Sequence, residues 1–121
     1  MTTPQGSYSD ETTTMATVRE RLASFNAERD WEQFHGPKDL AMCLAAEAGE
    51  LLEPFLWKTE GEPLDRELIS QELADVLICA VNLAAKLEID LLHAVDQKIA
   101  MNAQRYPVEK ARGRATKHDR L

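Results

Sequence analysis

The chain has 121 residues, of which 44% are hydrophobic and 29% are charged, and its net charge is −7. This length and composition predict a single globular domain that is large enough to bury a core. The last 14 residues carry five basic and two acidic side chains, so the rest of the chain has a net charge of −10. An acidic body of this kind argues against binding to duplex nucleic acid.

Cysteine usage and the absence of targeting patterns predict a cytoplasmic protein without a membrane partner. Cys43 and Cys79 both lie in apolar helical patterns, which suit free thiols in a reducing cytosol better than a disulfide framework. The polar start of the chain has no apolar segment of a secretory signal. No apolar run approaches the roughly 18 residues of a membrane span.

Apolar residues at helical spacing predict four helices and no strand. The first helix begins at a capping box of Thr17 and Glu20, or one turn earlier at Thr14. Pro37 suits the first position of the second helix, and Pro54 should bend it. The predicted helices span residues 15–30, 37–57, 64–86 and 91–105.

The pattern of the third helix predicts that several copies of the chain associate. Its apolar residues cover more than one face, and a helix that is apolar nearly all round is buried on several sides. We therefore expect an all-α four-helix bundle that oligomerises through its helices. The expected organisation is a disordered arm at 1–14, a helical domain at 15–113 and a flexible basic tail at 114–121.

Two pairs of acidic residues interrupt apolar helical runs. Glu47 and Glu50 form the first pair, and Glu72 and Asp75 form the second. Residues at i and i+3 are neighbours on a helix, so each pair places two carboxylates on a core-facing stripe. Two negative charges on a half-buried face repel each other, and this repulsion is tolerated when a cation lies between the acids. Carboxylate oxygens are ligands that suit a hard cation such as Mg²⁺. Alternatively, these residues are solvated acids of an acidic protein.

Three further groups of residues each allow a functional and a purely structural interpretation. Lys98, Asn102 and Arg105 share one face of the fourth helix, which suits phosphate oxygens or solvent. Trp31 and Trp57 could stack on a flat base, or anchor an interface. A di-iron bundle is a weak alternative, because a Glu-x-x-His motif, Glu32 to His35, occurs once and outside the helices.

The acidic motifs and several flanking blocks resemble the MazG-like all-α nucleoside triphosphate pyrophosphohydrolases, and within them the dCTP pyrophosphatases. The resemblance extends from about residue 18 to residue 113. It is carried by the Glu47-x-x-Glu50 and Glu72-x-x-Asp75 motifs, by the segment from Phe25 to His35, by Phe55-x-Trp57-Lys58 and by the segment from Asn102 to Val108.

This resemblance implies a Mg²⁺-dependent enzyme, with Mn²⁺ as another possible ion, that cleaves a deoxynucleoside triphosphate to the monophosphate and pyrophosphate. It implies a homo-oligomer, a tetramer or a dimer. The metal ligands would be Glu47, Glu50, Glu72 and Asp75. The substrate-binding residues would be Trp31, Glu32, Gln33, Phe34, His35, Trp57, Cys79, Lys98, Asn102 and Arg105.

Two positions depart from the pattern of the resembling enzymes and bear on the base that is preferred. Leu22 stands where those enzymes have a histidine, and Cys79 stands where they have a tyrosine. Both family positions belong to the nucleotide pocket, so the resemblance implies a preference for dCTP or a modified dCTP with looser selectivity than in those enzymes. The general base would be Glu50 or Glu53, which extend one i, i+3 row. The alternative function is a non-catalytic helical oligomer or partner-binding module.

Overall fold

The computed structural model describes residues 7–121, and within this range it contains α-helices and short 3-10 turns but no strand. The predicted all-α class is therefore confirmed. The chain divides into two compact units, Met1–Ile89 and Asp90–Leu121. The first unit contains α1 (Met15–Glu28), α2 (Pro37–Leu52) and α3 (Arg66–Lys86), and the second contains α4 (Leu91–Arg105) and α5 (Val108–Ala111).

Side-chain oxygens fix the starts of three helices. Thr14 caps α1 by accepting a hydrogen bond from the Thr17 amide at 3.2 Å, so the capping box at Thr17 is wrong and the earlier alternative holds. Asp65 caps α3 in the same way at 3.1 Å, and this cap starts the helix at Arg66 rather than at residue 64. Asp90 caps α4 by accepting a hydrogen bond from the His93 amide at 3.1 Å.

The second helix ends earlier than predicted. It stops at Leu52, and Glu53–Phe55 continue as one 3-10 turn. Pro54 explains this change, because it has no amide hydrogen for an α-helical bond. A Cβ placed on Gly49 would meet nothing within 4 Å, so within the chain this glycine does not serve a close approach of another helix.

The chain turns out of α1 and α3 through the same hydrogen-bonding motif. After α1, the amides of Asp30 and Trp31 donate to the carbonyls of Ala27 and Asn26, and Asp30 has a left-handed φ of 53°. This is a Schellman motif, and it ends α1 at Glu28 rather than at residue 30. Glu88, with a φ of 55°, has the same position after α3.

The core of the first unit is small for its apolar content. Among the described residues, the buried hydrophobic side chains are those of Leu40, Val81 and Ala84. In α3, by contrast, Leu73 and Leu77 are 55% and 52% exposed. By length and composition alone, α3 is apolar enough to cross a membrane, so the expectation that no segment approaches a membrane span is wrong by this criterion. One such helix is weak evidence, because the core helix of a soluble protein meets the same criteria. The isolated chain thus leaves much of α3 uncovered.

The ends of the chain contain more local structure than the sequence pattern predicts. Residues 1–6 of the predicted arm lie outside the described residues, whereas the Ser9 side chain accepts the Thr12 amide in a turn at 3.1 Å. Near the other end, α5 was not predicted, and a 3-10 turn forms at His118–Arg120. The rings of Tyr106 and His118 meet edge to face at 5.8 Å. The proposed domain limits stay a prediction.

Candidate functional site

Two helices of the first unit bring the predicted acids together. Glu47 and Glu50 lie one turn apart on α2, and Glu72 lies on α3, which packs against α2. One carboxylate oxygen from each of these three residues lies within 4.8 Å of the others. Spacing within one helix brings the first two together, but only the packing of α2 against α3 adds the third.

The electrostatics of this cluster are those of crowded like charges. The pKa of Glu47 is raised from its usual 4.5 to about 7, first by a hydrogen bond with the Glu50 carboxyl group, then by burial, then by the charges of Glu50, Asp75 and Glu72. The pKa of Glu72 is also raised, first by burial and then by neighbouring acids that include Glu53. Without a counter-charge, the cluster therefore holds protons more tightly than free carboxyl groups do.

The acidic cluster fits a hard divalent cation. Oε2 of Glu47 and Oε2 of Glu72 are enclosed by protein and have no hydrogen-bond partner. Enclosed carboxylate oxygens without partners are costly, and a cation between them would remove both the desolvation penalty and the repulsion. Three oxygen donors suit Mg²⁺ or Mn²⁺ better than a thiophilic ion. Asp75 is exposed but close enough for its charge to act on both enclosed acids.

An apolar cavity of about 570 Å³ lies beside the cluster in the same unit. Glu47 and Asp75 contribute to its wall, so the acids border this space directly. A cavity of this size, mostly apolar with a few convergent polar groups, is typical of a small-molecule site. The wall is formed by Tyr8, Val18, Arg21, Leu22, Phe25, Asn26, Trp31, His35, Leu40, Cys43, Glu47, Asp75, Ile78, Cys79 and Asn82.

Trp31 is fixed at this cavity by the way α1 ends. It is the second residue after the helix cap, and its amide bonds to the carbonyl of Asn26. Its ring meets Phe25 edge to face, with 5.6 Å between the centroids, which is the apolar contact that often accompanies a Schellman motif. Phe25 is itself covered by the guanidinium group of Arg29 at 3.7 Å. The indole is thus held in place as part of the cavity wall.

Some of the other predicted base-binding residues line a cavity, and others do not. His35 and Cys79 line the large cavity, and Glu32 lines a smaller neighbouring one together with His35. Gln33 instead donates to the Asp30 side chain at 2.9 Å. Phe34 and Trp57 line neither cavity: their side chains are 63% and 97% exposed, and Trp57 has a left-handed φ of 65°.

The predicted phosphate contacts belong to the second unit. Lys98, Asn102 and Arg105 all lie on α4, and their exposed side chains share a face as the spacing predicted. Lys98 lies 3.7 Å from the sulfur of Met101. A phosphate-binding role for this face stays a prediction.

Several cavity residues were missed by sequence reasoning. Tyr8 lies in the arm expected to be disordered, and its ring is covered by the guanidinium group of Arg21 at 5.0 Å. Asn26 and Asn82 join α1 to α3 through a hydrogen bond of 3.2 Å. One signal could have found Asn82, because it is the only residue in 76–85 that is not hydrophobic.

Comparison with known proteins identifies the class to which this fold and site belong. A family model described as the MazG-like family matches residues 43–121, which include α3 and all four acids of the predicted metal site. The chain therefore belongs to the MazG-like family, and the resemblance in the sequence is confirmed.

Within this family, the chain is similar in sequence to dCTP pyrophosphatases and in fold to a pyrophosphatase of known structure. The chain is 46% identical over 122 residues to dCTP pyrophosphatase 1 of Rattus norvegicus, covering 95% of this chain and 71% of the rat protein. It is 45% identical to dCTP pyrophosphatase 1 of Homo sapiens, with coverage of 95% and 71%. The fold is similar to the crystal structure of a pyrophosphatase from Archaeoglobus fulgidus, with a TM-score of 0.70, 30% identity and coverage of 86% of this chain and 99% of that one.

Proposed function

We propose that this protein is a metal-dependent dCTP pyrophosphohydrolase that cleaves dCTP, or a 5-modified dCTP, to the monophosphate and pyrophosphate. The observation that carries the proposal is the joint placement of an acidic cluster and an apolar cavity in one compact unit. The identity of 44–46% to dCTP pyrophosphatases over most of the chain supports the choice of substrate.

The acidic cluster would hold the cation. Glu47, Glu50 and Glu72 would supply oxygen ligands, and Asp75 would complete the set from α3. When bound, Mg²⁺ would polarise phosphoryl oxygens and offset the negative charge that the triphosphate brings to this acidic surface. The two enclosed oxygens without partners support this assignment.

Proton transfer would fall to a carboxylate at the edge of the cluster. Glu50 is the proposed general base, because its side chain is exposed and one of its carboxylate oxygens belongs to the cluster, so it can reach both solvent and the cluster. A positioned carboxylate can take the proton of the attacking water. Glu53 is the alternative base, since it is exposed and its charge acts on Glu72.

The cavity would bind the base. Trp31 offers a fixed aromatic face on which a pyrimidine can stack, and stacking tolerates any base. His35 and Cys79 line the same space, whereas Glu32, Gln33, Phe34 and Trp57 would need another arrangement to reach a ligand there. Contacts of Lys98, Asn102 and Arg105 with phosphate are proposed on their charge and shared face alone.

We also propose that the working form is a cytoplasmic homo-oligomer, a dimer or a tetramer, that acts on free nucleotides. The uncovered apolar side chains of α3, which include Leu73 and Leu77, support association of copies. The net charge of −7 supports free nucleotides rather than duplex nucleic acid as partners.

A panel of nucleoside triphosphates tests the proposed function. The protein is incubated with dCTP, 5-methyl-dCTP, dTTP, dUTP and dATP, with and without Mg²⁺, and kcat/KM is measured for each. We expect metal-dependent hydrolysis led by dCTP or its 5-methyl form. Metal-independent turnover, or a purine preferred by more than about tenfold, a difference of some 1.4 kcal/mol, would contradict the proposal.

The melting temperature of the protein without substrate distinguishes the enzyme from the non-catalytic alternative. A ligand that binds only the folded state raises the melting temperature. A cation site at Glu47 and Glu72 therefore predicts stabilisation by Mg²⁺ or Mn²⁺, whereas acids that serve solubility predict none. No turnover together with no stabilisation would favour a helical interaction module.

A further inference from the structure

We propose that the hydrogen-bonded amides of Asn26 and Asn82 read the hydrogen-bonding edge of the base in the cavity and determine selectivity for cytosine over thymine. This inference rests on the proposed function, because it names the recognition element of that same site. It assigns a specificity role to two residues that belong neither to the acidic cluster nor to the aromatic wall.

The pair joins two helices at the cavity wall. Nδ2 of Asn26 donates to Oδ1 of Asn82 at 3.2 Å, which connects α1 with α3. Both residues line the large cavity together with Trp31 and Cys79. Asn26 is only 8% exposed and is the buried polar residue of the described chain.

An amide pair in this position is unusual enough to need a reason. Asn82 lies within an otherwise hydrophobic run, residues 76–85, and asparagine is a poor helix former. Burying amides also costs free energy unless their groups find partners. A packing role alone would be served as well by two apolar residues, because removing both partners of such a bond can be nearly neutral.

The pair keeps polar groups free for a ligand. The hydrogen bond between the two amides uses one of the two N–H groups of Asn26 and one lone pair of Asn82, which leaves Oδ1 of Asn26 and the Nδ2 group of Asn82. Among the described residues, the enclosed side-chain atoms without partners are Nε of Arg19 and Oε2 of Glu47 and Glu72. Oδ1 of Asn26 and Nδ2 of Asn82 are not among these atoms, so neither is both enclosed and without a partner. Both residues line the large cavity and also the smaller one beside it, and we place the free groups on the side of the large cavity, which contains Trp31.

The free groups match the edge of cytosine. Cytosine presents an amino donor at N4 beside an acceptor at N3, whereas thymine presents an acceptor at O4 beside a donor at N3. Oδ1 of Asn26 can accept from N4, and Nδ2 of Asn82 can donate to N3. Thymine would set acceptor against acceptor and donor against donor, and it would leave buried groups unpaired.

One substitution distinguishes a contact of Asn82 with the base from its hydrogen bond with Asn26. Asn82→Asp keeps an oxygen that can accept the Asn26 Nδ2 bond, but it removes the Nδ2 donor that would face the base. The double variant Asn26→Leu/Asn82→Leu removes the whole pair with little change of shape. Ser70→Ala, at an exposed position of α3 outside the cavity, is the matched control.

The assay is the ratio of kcat/KM for dCTP to that for dTTP, with the melting temperature as a check of folding. We expect this ratio to fall about tenfold to a hundredfold in both asparagine variants, which is the discrimination typical of one bidentate base contact. The fall should come mainly from a higher KM for dCTP, and the Ser70→Ala ratio should stay at that of the wild type. The carboxylate of Asn82→Asp would repel the N3 acceptor of cytosine and accept the N3–H of thymine, so it lowers the ratio from both sides. The double leucine variant adds no charge and therefore isolates the loss of the amide pair.

A ratio within threefold of the wild type in both folded variants would overturn the inference while leaving the proposed function intact. If the wild type hydrolyses neither triphosphate, the proposed function fails, but the inference can still be tested. The test is then the shift of the melting temperature that a nucleoside causes in the absence of metal. Deoxycytidine should then still raise the melting temperature of the wild type more than thymidine does, and this difference should vanish in Asn82→Asp. Equal shifts by the two nucleosides would overturn the inference.

Discussion

Replacing Glu47 by glutamine should stabilise the metal-free protein at neutral pH while abolishing its stabilisation by metal. The carboxyl group of Glu47 has a pKa raised from 4.5 to about 7 because it is crowded by Glu50, burial and further acids. The folded state thus binds the Glu47 proton more tightly than the unfolded state does. The contribution of this group to stability is therefore fully present below pH 4.5 and is lost as the pH rises through about 7.

The magnitude follows from the difference between the two pKa values. At about 1.4 kcal/mol per pH unit, the rise from 4.5 to about 7 corresponds to at most about 3 kcal/mol at alkaline pH. Because Glu47 is only half-buried, solvent screening should reduce this to about 1–2 kcal/mol. A neutral glutamine removes the repulsion and should raise the metal-free melting temperature at pH 7.5 by about 4–8 °C.

The assay is thermal unfolding at pH 5 and pH 7.5, with and without Mg²⁺. The gain from Glu47→Gln should be smaller at pH 5, where the wild-type carboxyl group already holds its proton. Magnesium at about 100 times its dissociation constant should stabilise the wild type by about 2.7 kcal/mol and the variant far less. Glu20→Gln, at an exposed position of α1, is the control. A variant less stable than the wild type at pH 7.5 without metal would refute this reasoning.

Four further outcomes are expected. Glu72→Gln should lower kcat/KM at least a hundredfold, about 2.7 kcal/mol of transition-state stabilisation, in a protein that still folds; retained turnover would remove Glu72 from the metal site. Sedimentation at micromolar concentration should give a dimer or tetramer, because α3 leaves apolar side chains uncovered, and a stable monomer would contradict this. Leu22→His combined with Cys79→Tyr should sharpen selectivity for dCTP, since both positions line the cavity; an unchanged profile would mean that neither position contacts the base. A chain that ends at residue 113 should keep its fold and most activity, whereas a large loss would give the basic tail a role in binding.

The four longer helices, and the starts of α2 and α4, could be read from the sequence because their signals are local. The cap of α3 at Asp65 was not recognised. Asp90 caps α4, and Pro37 opens α2, as the residue types predict. The ends were harder to predict. Asp30 and Glu88 adopt left-handed conformations without being glycine, so the turns that end α1 and α3 give no strong signal in the chain.

The acidic pairs could be predicted, but the cavity could not. Spacing of three residues on one helix is enough to place Glu47 beside Glu50, whereas the approach of Glu72 depends on how α2 packs against α3. The cavity joins residues from Tyr8, before α1, to Asn82 in α3. Asn26 gave no signal at all, because only folding brings it into contact with Asn82, 56 positions away.

The most direct test of the central claim is an analysis of the products of dCTP hydrolysis in the presence of Mg²⁺. Cleavage between the α- and β-phosphates predicts dCMP and pyrophosphate in equal amounts, formed by the wild type and nearly absent with Glu72→Gln. Products consisting of dCDP and orthophosphate would contradict the proposed reaction. So would equal turnover by the wild type and Glu72→Gln, since the acidic cluster would then take no part in the chemistry.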